Sequence, residues 1–408
     1  MMSIWLFLLI IGPGLITATA GNDAGGTATY SIVGARFGYN LLWLLILTTF
    51  ILIVVQEMCA RMGAVTGKGL SDLIREQFGL RWTFVAMSAL LIANIAVTIS
   101  EFAGIAASME IIGISKYISV PVVAFVIWYL IVHGSFKMVE RIFLGACLVY
   151  VSYIFSGVLA NPDWTLAFKS TFVPKIVFQP EYIRIMIALI GTTVTPWMQF
   201  FLQSNIVEKG VSLKQYRFQK LDTVIGSISA GIIAFFIIVA CAATLHKAGI
   251  EVSSAYEAGL ALKPLAGKFA AYLFALGLFA ASTLGASILP LSSSYAICEA
   301  FGFENGISKK FREAPIFYGL YTGLIIVGAG VVLFPSIPLI FVMLLAQEIN
   351  GVLLPVILIF MMLLVNNRRV MGQHVNSRFL NVVSWSTVAA VIALTVMLLI
   401  TSILPLFS

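Results

Sequence analysis

Apolar residues run through this chain in long blocks separated by short polar stretches. Eleven blocks are long enough to cross a bilayer as helices, since about 20 apolar residues at 1.5 Å each span the hydrocarbon. Their limits read 3–36, 39–61, 82–113, 117–133, 139–159, 180–209, 217–246, 266–301, 313–334, 336–365 and 380–406. Such runs far exceed the length of a barrel strand, so the pattern predicts an all-α polytopic membrane protein with eleven transmembrane helices. Several blocks are longer than a bilayer requires, which predicts helices that tilt or project.

Two blocks are broken near their middles. The first holds Gly12-Pro13-Gly14 and then Ala20-Gly21-Asn22-Asp23-Ala24-Gly25-Gly26; the sixth holds Gly191-Thr192-Thr193-Val194-Thr195-Pro196. Blocks 1–5 and 6–10 are odd-numbered sets, so they must cross in opposite senses, and each break falls on the first helix of its set. That is the pattern of a 5+5 inverted repeat plus one helix, with helices 1 and 6 unwound at the midplane around a substrate site. The repeat units are about 3–159 and 180–365, the extra helix is 380–406, and all of 1–408 reads as one transmembrane transporter domain. A carboxylate inside a membrane segment is costly unless something uses it, which marks Asp23 as functional.

Composition agrees: 61% of residues are hydrophobic and 10% charged, against about half and a quarter in soluble domains. No cleavable leader is evident, because the first block runs straight into the Asp23 break. Cys59, Cys147, Cys241 and Cys298 all lie in apolar runs without metal-ligand spacing and read as small buried residues. The net charge of +7 sits in the loops, so nucleic acid is not implied. Two thirds of the 24 Lys and Arg residues fall in even-to-odd loops, among them Arg61, Lys68, Arg75, Lys209, Lys214 and Arg217. The positive-inside rule then sets the N-terminus in the cytoplasm and the C-terminus outside, in the plasma membrane.

Several of these residues carry a resemblance. Gly12-Pro13-Gly14, Asp23-Ala24-Gly25-Gly26, Phe37-Gly38-Tyr39, Ala60-Arg61 with Val65-Thr66-Gly67-Lys68, Glu101, and Gly191 with Thr195-Pro196 resemble, in order, the Nramp transition-metal transporters. The resemblance implies a LeuT-type fold. In that family the first break carries Asp-Pro-Gly-Asn, and a methionine precedes the proline of the second. Here Ala24 replaces the proline, Gly26 the ligand asparagine, Thr195 the methionine and Trp197 a histidine. The run Thr195-Pro196-Trp197-Met198-Gln199 is similar to the Nramp-related magnesium transporters, a prokaryotic branch, and implies Mg²⁺ uptake. Gln347, eight residues before Pro355, corresponds to a family glutamine that approaches the ion when the site occludes.

The chemistry of the breaks supports the substitution. The Asp23 carboxylate, backbone carbonyls near Asp23 and Thr192, and the hydroxyls of Thr192 and Thr195 form an oxygen-only set. Soft and borderline metals gain from sulfur or imidazole, whereas carboxylate, carbonyl and water suit Mg²⁺ and Ca²⁺. Mg²⁺ sheds water reluctantly and binds through one or two carboxylates. Short side chains at Gly26 and Thr195 predict a wider cavity for a partly hydrated ion. The predicted cation set is therefore Asp23, Gly26, Thr192, Thr195 and Gln347, with Asn22, Glu101, Trp197, Gln199, Gln203 and Asn350 around it or along the pathway. Plainer roles stand beside these: Asp23 as cap of the second half-helix, the threonines bonded to the preceding turn, Gln347 in an interhelical hydrogen bond, Glu101 as a buried structural acid. Glu57 with Arg61 at i+4 reads as an ion pair, and Glu348 pairs elsewhere.

The resemblance implies proton co-transport through histidines of helix 6 and charges reaching helix 9. Here His133, His246 and His374 lie at block ends, and the ninth block has no basic residue beyond Arg312. Weak or absent proton coupling is expected, the membrane potential acting on the ion's two charges instead. The cargo is expected to be Mg²⁺, with Mn²⁺ as a second divalent cation. No cofactor, enzymatic activity or protein partner is implied beyond the bilayer. The rival readings are a proton-coupled Mn²⁺/Fe²⁺ transporter of the main Nramp type, which requires the soft ligand that Thr195 lacks, and a Na⁺-coupled small-molecule symporter.

Overall fold

A computed structural model describes residues 21–133, 148–307 and 309–403. The Gly12-Pro13-Gly14 half of the first block, the start of the fifth and Cys147 lie outside the described residues. Within them the structure is helical, without strands: α1 Ala24–Phe37, α2 Leu42–Thr66, α3 Leu70–Ile111, α4 Lys116–Val132, α5 Ser152–Leu159, α6 Trp164–Phe172, α7 Pro180–Thr193, α8 Pro196–Glu208, α9 Tyr216–Cys241, α10 Ala270–Phe301, α11 Pro315–Val332, α12 Leu339–Val365 and α13 Arg378–Ile403. Eight helical stretches among the described residues are long and apolar enough to cross a membrane.

The sixth block breaks where its residues say it should. Val194 (φ −122°, ψ 72°) and Thr195 (φ −77°, ψ 143°) leave the helical region between α7 and α8. Pro196 opens α8, where its missing N–H is one of those without an intrahelical partner. In the first block Gly21–Asp23 are non-helical and α1 starts at Ala24.

Two elements differ from the expected limits. Helix α3 begins at Leu70, not near 82, because a short arm precedes the membrane stretch and joins it at Gly79, whose φ of +73° suits glycine. The arm buries Leu70, Leu73 and Ile74 while Glu76 and Gln77 are exposed, too brief an apolar face to register as a span. Helix α6 lies in the polar stretch between the fifth and sixth blocks, and Asp163 caps it by accepting from the Leu166 amide at 2.9 Å.

Burial sorts the helices. All of the apolar window of Pro180–Glu208 is buried, against 22% of that of Arg378–Met397, and nearly every residue of α1 is buried. The broken segments thus form the centre, while α13 and the exposed Phe125, Ile118 and Val122 of α4 face outward, as lipid contact requires. Helix α3 packs along α10 and α12.

Helices α7 and α12 meet backbone to backbone. A methyl group at Gly191 would overlap the Gln347 carbonyl and the Gly351 backbone, and one at Gly351 would overlap the Ile187 carbonyl. Such close approach needs small residues. Gly191→Val is therefore expected to separate α7 from α12, losing the single symmetric peak in size-exclusion chromatography as well as transport; a well-folded, active variant would contradict this packing.

The expected ion pairs are present. Arg61 Nη2 lies 3.4 Å from Glu57 Oε2, and the Tyr216 hydroxyl also donates to Glu57. The partner of Glu348 is Arg184 of α7, at 3.1 Å. Cys59, Cys241 and Cys298 are buried and form no disulfide.

Candidate cation site

Three oxygens from the two breaks converge on Gly26. Asp23 precedes α1 in extended conformation, and its Oδ1 accepts the Gly26 amide at 2.6 Å. The capping role is thus real, but it uses one oxygen; Oδ2 is buried and takes no hydrogen bond from an amide or hydroxyl, and the Asp23 carboxyl shares a hydrogen bond with the carboxyl of Glu101. A methyl group at Gly26 would lie 2.8 Å from the Gly21 carbonyl oxygen, 2.9 Å from Thr192 Oγ1 and 3.2 Å from Asp23 Oδ1. Only a residue without a side chain leaves that meeting point clear. The N-terminus of α1 adds its positive end beside Asp23, which steadies the carboxylate.

The threonines divide. Thr193 Oγ1 donates to the Leu189 carbonyl at 2.7 Å, one turn back. Thr192 and Thr195 are fully buried; the Thr195 hydroxyl makes no hydrogen bond to the protein, and that of Thr192 has only the Tyr30 hydroxyl beside it. Thr192 faces Gly26, and Thr195 stands at the start of α8. Buried polar atoms are rarely left unpaired, so such a group marks a place where something polar is handled.

Gln347 reaches the same centre from α12: its amide Nε2 lies against Gly25, where any Cβ would collide with it. Asn350, one turn on, donates from Nδ2 to Gln347 Oε1 at 2.9 Å. Glu101 of α3 stands behind Asp23. Its Oε2 accepts the Ala24 amide at 3.4 Å, and the two carboxyls are neighbours. Gly285 of α10 makes the room, since a methyl there would come within 2.6 Å of the Glu101 carboxylate.

The remaining residues spread outward. Asn22 Nδ2 donates to the Ala230 carbonyl at 3.4 Å. Trp197 is buried edge-on to Phe201, and Gln199 is buried with both amide atoms unpaired. Gln203 is held away from the break, donating to the Lys68 carbonyl at 2.9 Å. Among the described residues no cluster of three His, Cys, Asp or Glu side chains is placed to hold a metal.

The space is small. The cavity lined by Gly21, Asn22, Tyr30, Thr192, Thr193 and Met198 has a volume of about 10 Å³, room for about one water. Neither Gly26 nor Thr195 is among the residues lining it. Tyr30, which lines this cavity, is a residue the sequence did not single out, and Gly21 supplies one of the backbone carbonyls expected near Asp23. Tyr30 lies seven residues after Asp23, two turns along the same face, so its position was legible. The Gly21 carbonyl carries no side-chain signal.

Comparison with known proteins follows the same lines. A family model described as natural resistance-associated macrophage protein-like (Nramp) matches residues 14–401. The divalent metal cation transporter MntH of Bacillus subtilis is 25% identical over 404 residues, covering 96% of this chain and 92% of that protein. MntH of Deinococcus radiodurans is 28% identical over 407 residues, covering 95% and 88%. In structure, a manganese transporter of Eremococcus coleocola in complex with an aromatic bis-isothiourea compound superposes with a TM-score of 0.75 at 18% identity, over 98% of this chain and 87% of that one. Mhp1, a nucleobase-cation-symport-1 transporter, matches at 0.59 and 13% identity, over 97% and 91%. The likeness to these structures is one of fold, the LeuT-like arrangement.

Proposed function

This chain belongs to the Nramp family, a family of metal-ion transporters in the membrane, and on that footing we propose that it carries Mg²⁺ into the cell by alternating access. The observation that carries the reading is the oxygen-only cradle: Asp23 Oδ1, Thr192 Oγ1 and the Gly21 carbonyl meet at Gly26, with Thr195 at the start of α8. The relatives are named as divalent metal cation or manganese transporters. At the position where the main family sets a thioether, this chain has a hydroxyl. Met198 lines the neighbouring cavity, but its sulfur accepts from Gln56 Nε2 at 3.6 Å; no soft donor meets the oxygens at Gly26, which leaves the cradle little means to prefer Mn²⁺ over the harder ion.

Mg²⁺ holds its waters tightly. Room for about one water beside the cradle, in a space of about 10 Å³, does not admit a hydrated ion. The ion therefore enters and leaves when α1 and α7–α8 draw apart, and this closed form lies between those events. Unpaired polar groups on Gln199, Gln347 and Thr195 suit contact with its water shell.

Uptake proceeds without a proton. His133 and His374 are exposed at helix ends, and His246 is engaged by the Ala35 carbonyl at 2.8 Å. Membrane potential supplies about 2.3 kcal/mol per charge per 100 mV, which two positive charges double. The excess of Lys and Arg in even-to-odd loops sets the N-terminus inside, so potential and uptake run in the same direction.

Thr195→Met tests the selectivity argument. It is expected to raise Mn²⁺ uptake relative to Mg²⁺ by about tenfold, 1.4 kcal/mol of differential binding. Initial rates measured with each ion in proteoliposomes give the ratio, and an unchanged ratio would remove Thr195 as a determinant.

A further inference from the structure

We propose that Asn350 sets which end of the Gln347 amide faces the transported cation. The idea rests on the reading above, in which Gln347 borders the ion's position. Both side chains are fully buried on one face of α12. Asn350 Nδ2 donates to Gln347 Oε1 at 2.9 Å, so the glutamine's only oxygen is turned away and its Nε2 is pressed toward Gly25. That N–H is a donor and repels a cation. Two atoms of the pair make no hydrogen bond: Gln347 Nε2 and Asn350 Oδ1.

Amide oxygen and NH₂ are close in size and differ only in hydrogen-bonding sense. If both amides turn over by half a turn, Gln347 Nε2 donates to Asn350 Oδ1, and Gln347 Oε1 faces Gly25 and the Asp23 cradle. The count of hydrogen bonds is unchanged, so the cation's attraction for the oxygen decides the orientation. Helix α12 need not move, because Gly191 and Gly351 hold its backbone against α7. Asn350 is thus a positioning residue that can hold Gln347 in either sense, closing the site with a donor when empty and presenting an oxygen when filled.

The test is a double-mutant cycle on Mg²⁺ uptake kinetics in proteoliposomes holding the full chain. Asn350→Leu is expected to raise KM about fivefold with kcat within about twofold, and to change KM by less than about twofold when Gln347→Leu is already present, the non-additivity of residues acting through one another. Asn350→Asp can only accept, so it pins the Gln347 oxygen toward the ion; KM is expected to fall in the native background and stay constant beside Gln347→Leu. Equal effects in the two backgrounds would overturn the proposal, since added charge or altered packing would act without Gln347. A silent Gln347→Leu would overturn the underlying placement of Gln347 as well. Size-exclusion profiles identify any variant that fails to fold, and the Asp variant, nearly isosteric with Asn, keeps the question open to measurement if the Leu variant fails.

Discussion

Asp23→Ala is expected to abolish Mg²⁺ uptake, by about 100-fold or more, equivalent to about 2.8 kcal/mol at 1.4 kcal/mol per tenfold. Among the described residues Asp23 is the acid whose carboxylate meets the Gly21 and Thr192 oxygens at Gly26, with Oδ1 accepting the Gly26 amide and Glu101 beside it; on the proposed reading its charge is what the ion requires. Asp23→Asn separates its two duties. The amide oxygen can still cap α1, so the protein should fold as before, whereas the charge that offsets dehydration of a divalent ion is gone. Normal thermal stability of Asp23→Asn with uptake lost is the expected pair of results. Uptake surviving in both variants would make Asp23 a cap and nothing more, and would shift attention to Glu101.

Gly26→Ala carries the second large effect. Its methyl would lie within 2.8–3.2 Å of three oxygens, two of them on backbone or on the capped aspartate. Helix α1 gains propensity from alanine, by roughly 1 kcal/mol relative to glycine, which offsets part of the shift that the Gly21 carbonyl, 2.8 Å from the methyl, must make; a native size-exclusion profile separates a blocked site from a misfolded protein. On the proposed placement of the ion the methyl takes its position, and uptake of Mg²⁺ and Mn²⁺ alike is expected to fall to background. A variant that folds and still transports would mean the ion binds away from Gly26. The comparison with Thr195→Met is informative: one blocks the site for every cation, the other changes only preference.

Much of the architecture was written in the apolar blocks, because lipid contact forces long apolar helices with every backbone group paired inside. The break between α7 and α8 was legible from Thr195-Pro196, since proline cannot continue the preceding helix. The arm Leu70–Phe78 and helix α6 escaped notice because their apolar faces are short. At the site, Asp23 and Thr192 could be named from the broken segments, and Gly26 from the family resemblance, where it stands in place of an asparagine. That Gly25 packs on Gln347, and that Gly285 makes room for Glu101, could not. These contacts join helices far apart in sequence, and a glycine chosen for a neighbour's bulk leaves no local trace. The pairing of Glu348 with Arg184 is a similar case: the sequence showed an acid that must be compensated, and the structure supplies the partner.

The most direct measurement is uptake into proteoliposomes that hold a Mg²⁺-sensitive dye and, in parallel, a pH-sensitive dye, with Mn²⁺ as the second cation and Asp23→Ala as control. Mg²⁺ entry driven by a negative-inside potential, lost in the control and unaccompanied by internal acidification, is the expected result. Mn²⁺ entry without Mg²⁺, or entry of either ion with stoichiometric acidification, would contradict it and return the protein to the proton-coupled transition-metal chemistry from which Gly26 and Thr195 depart.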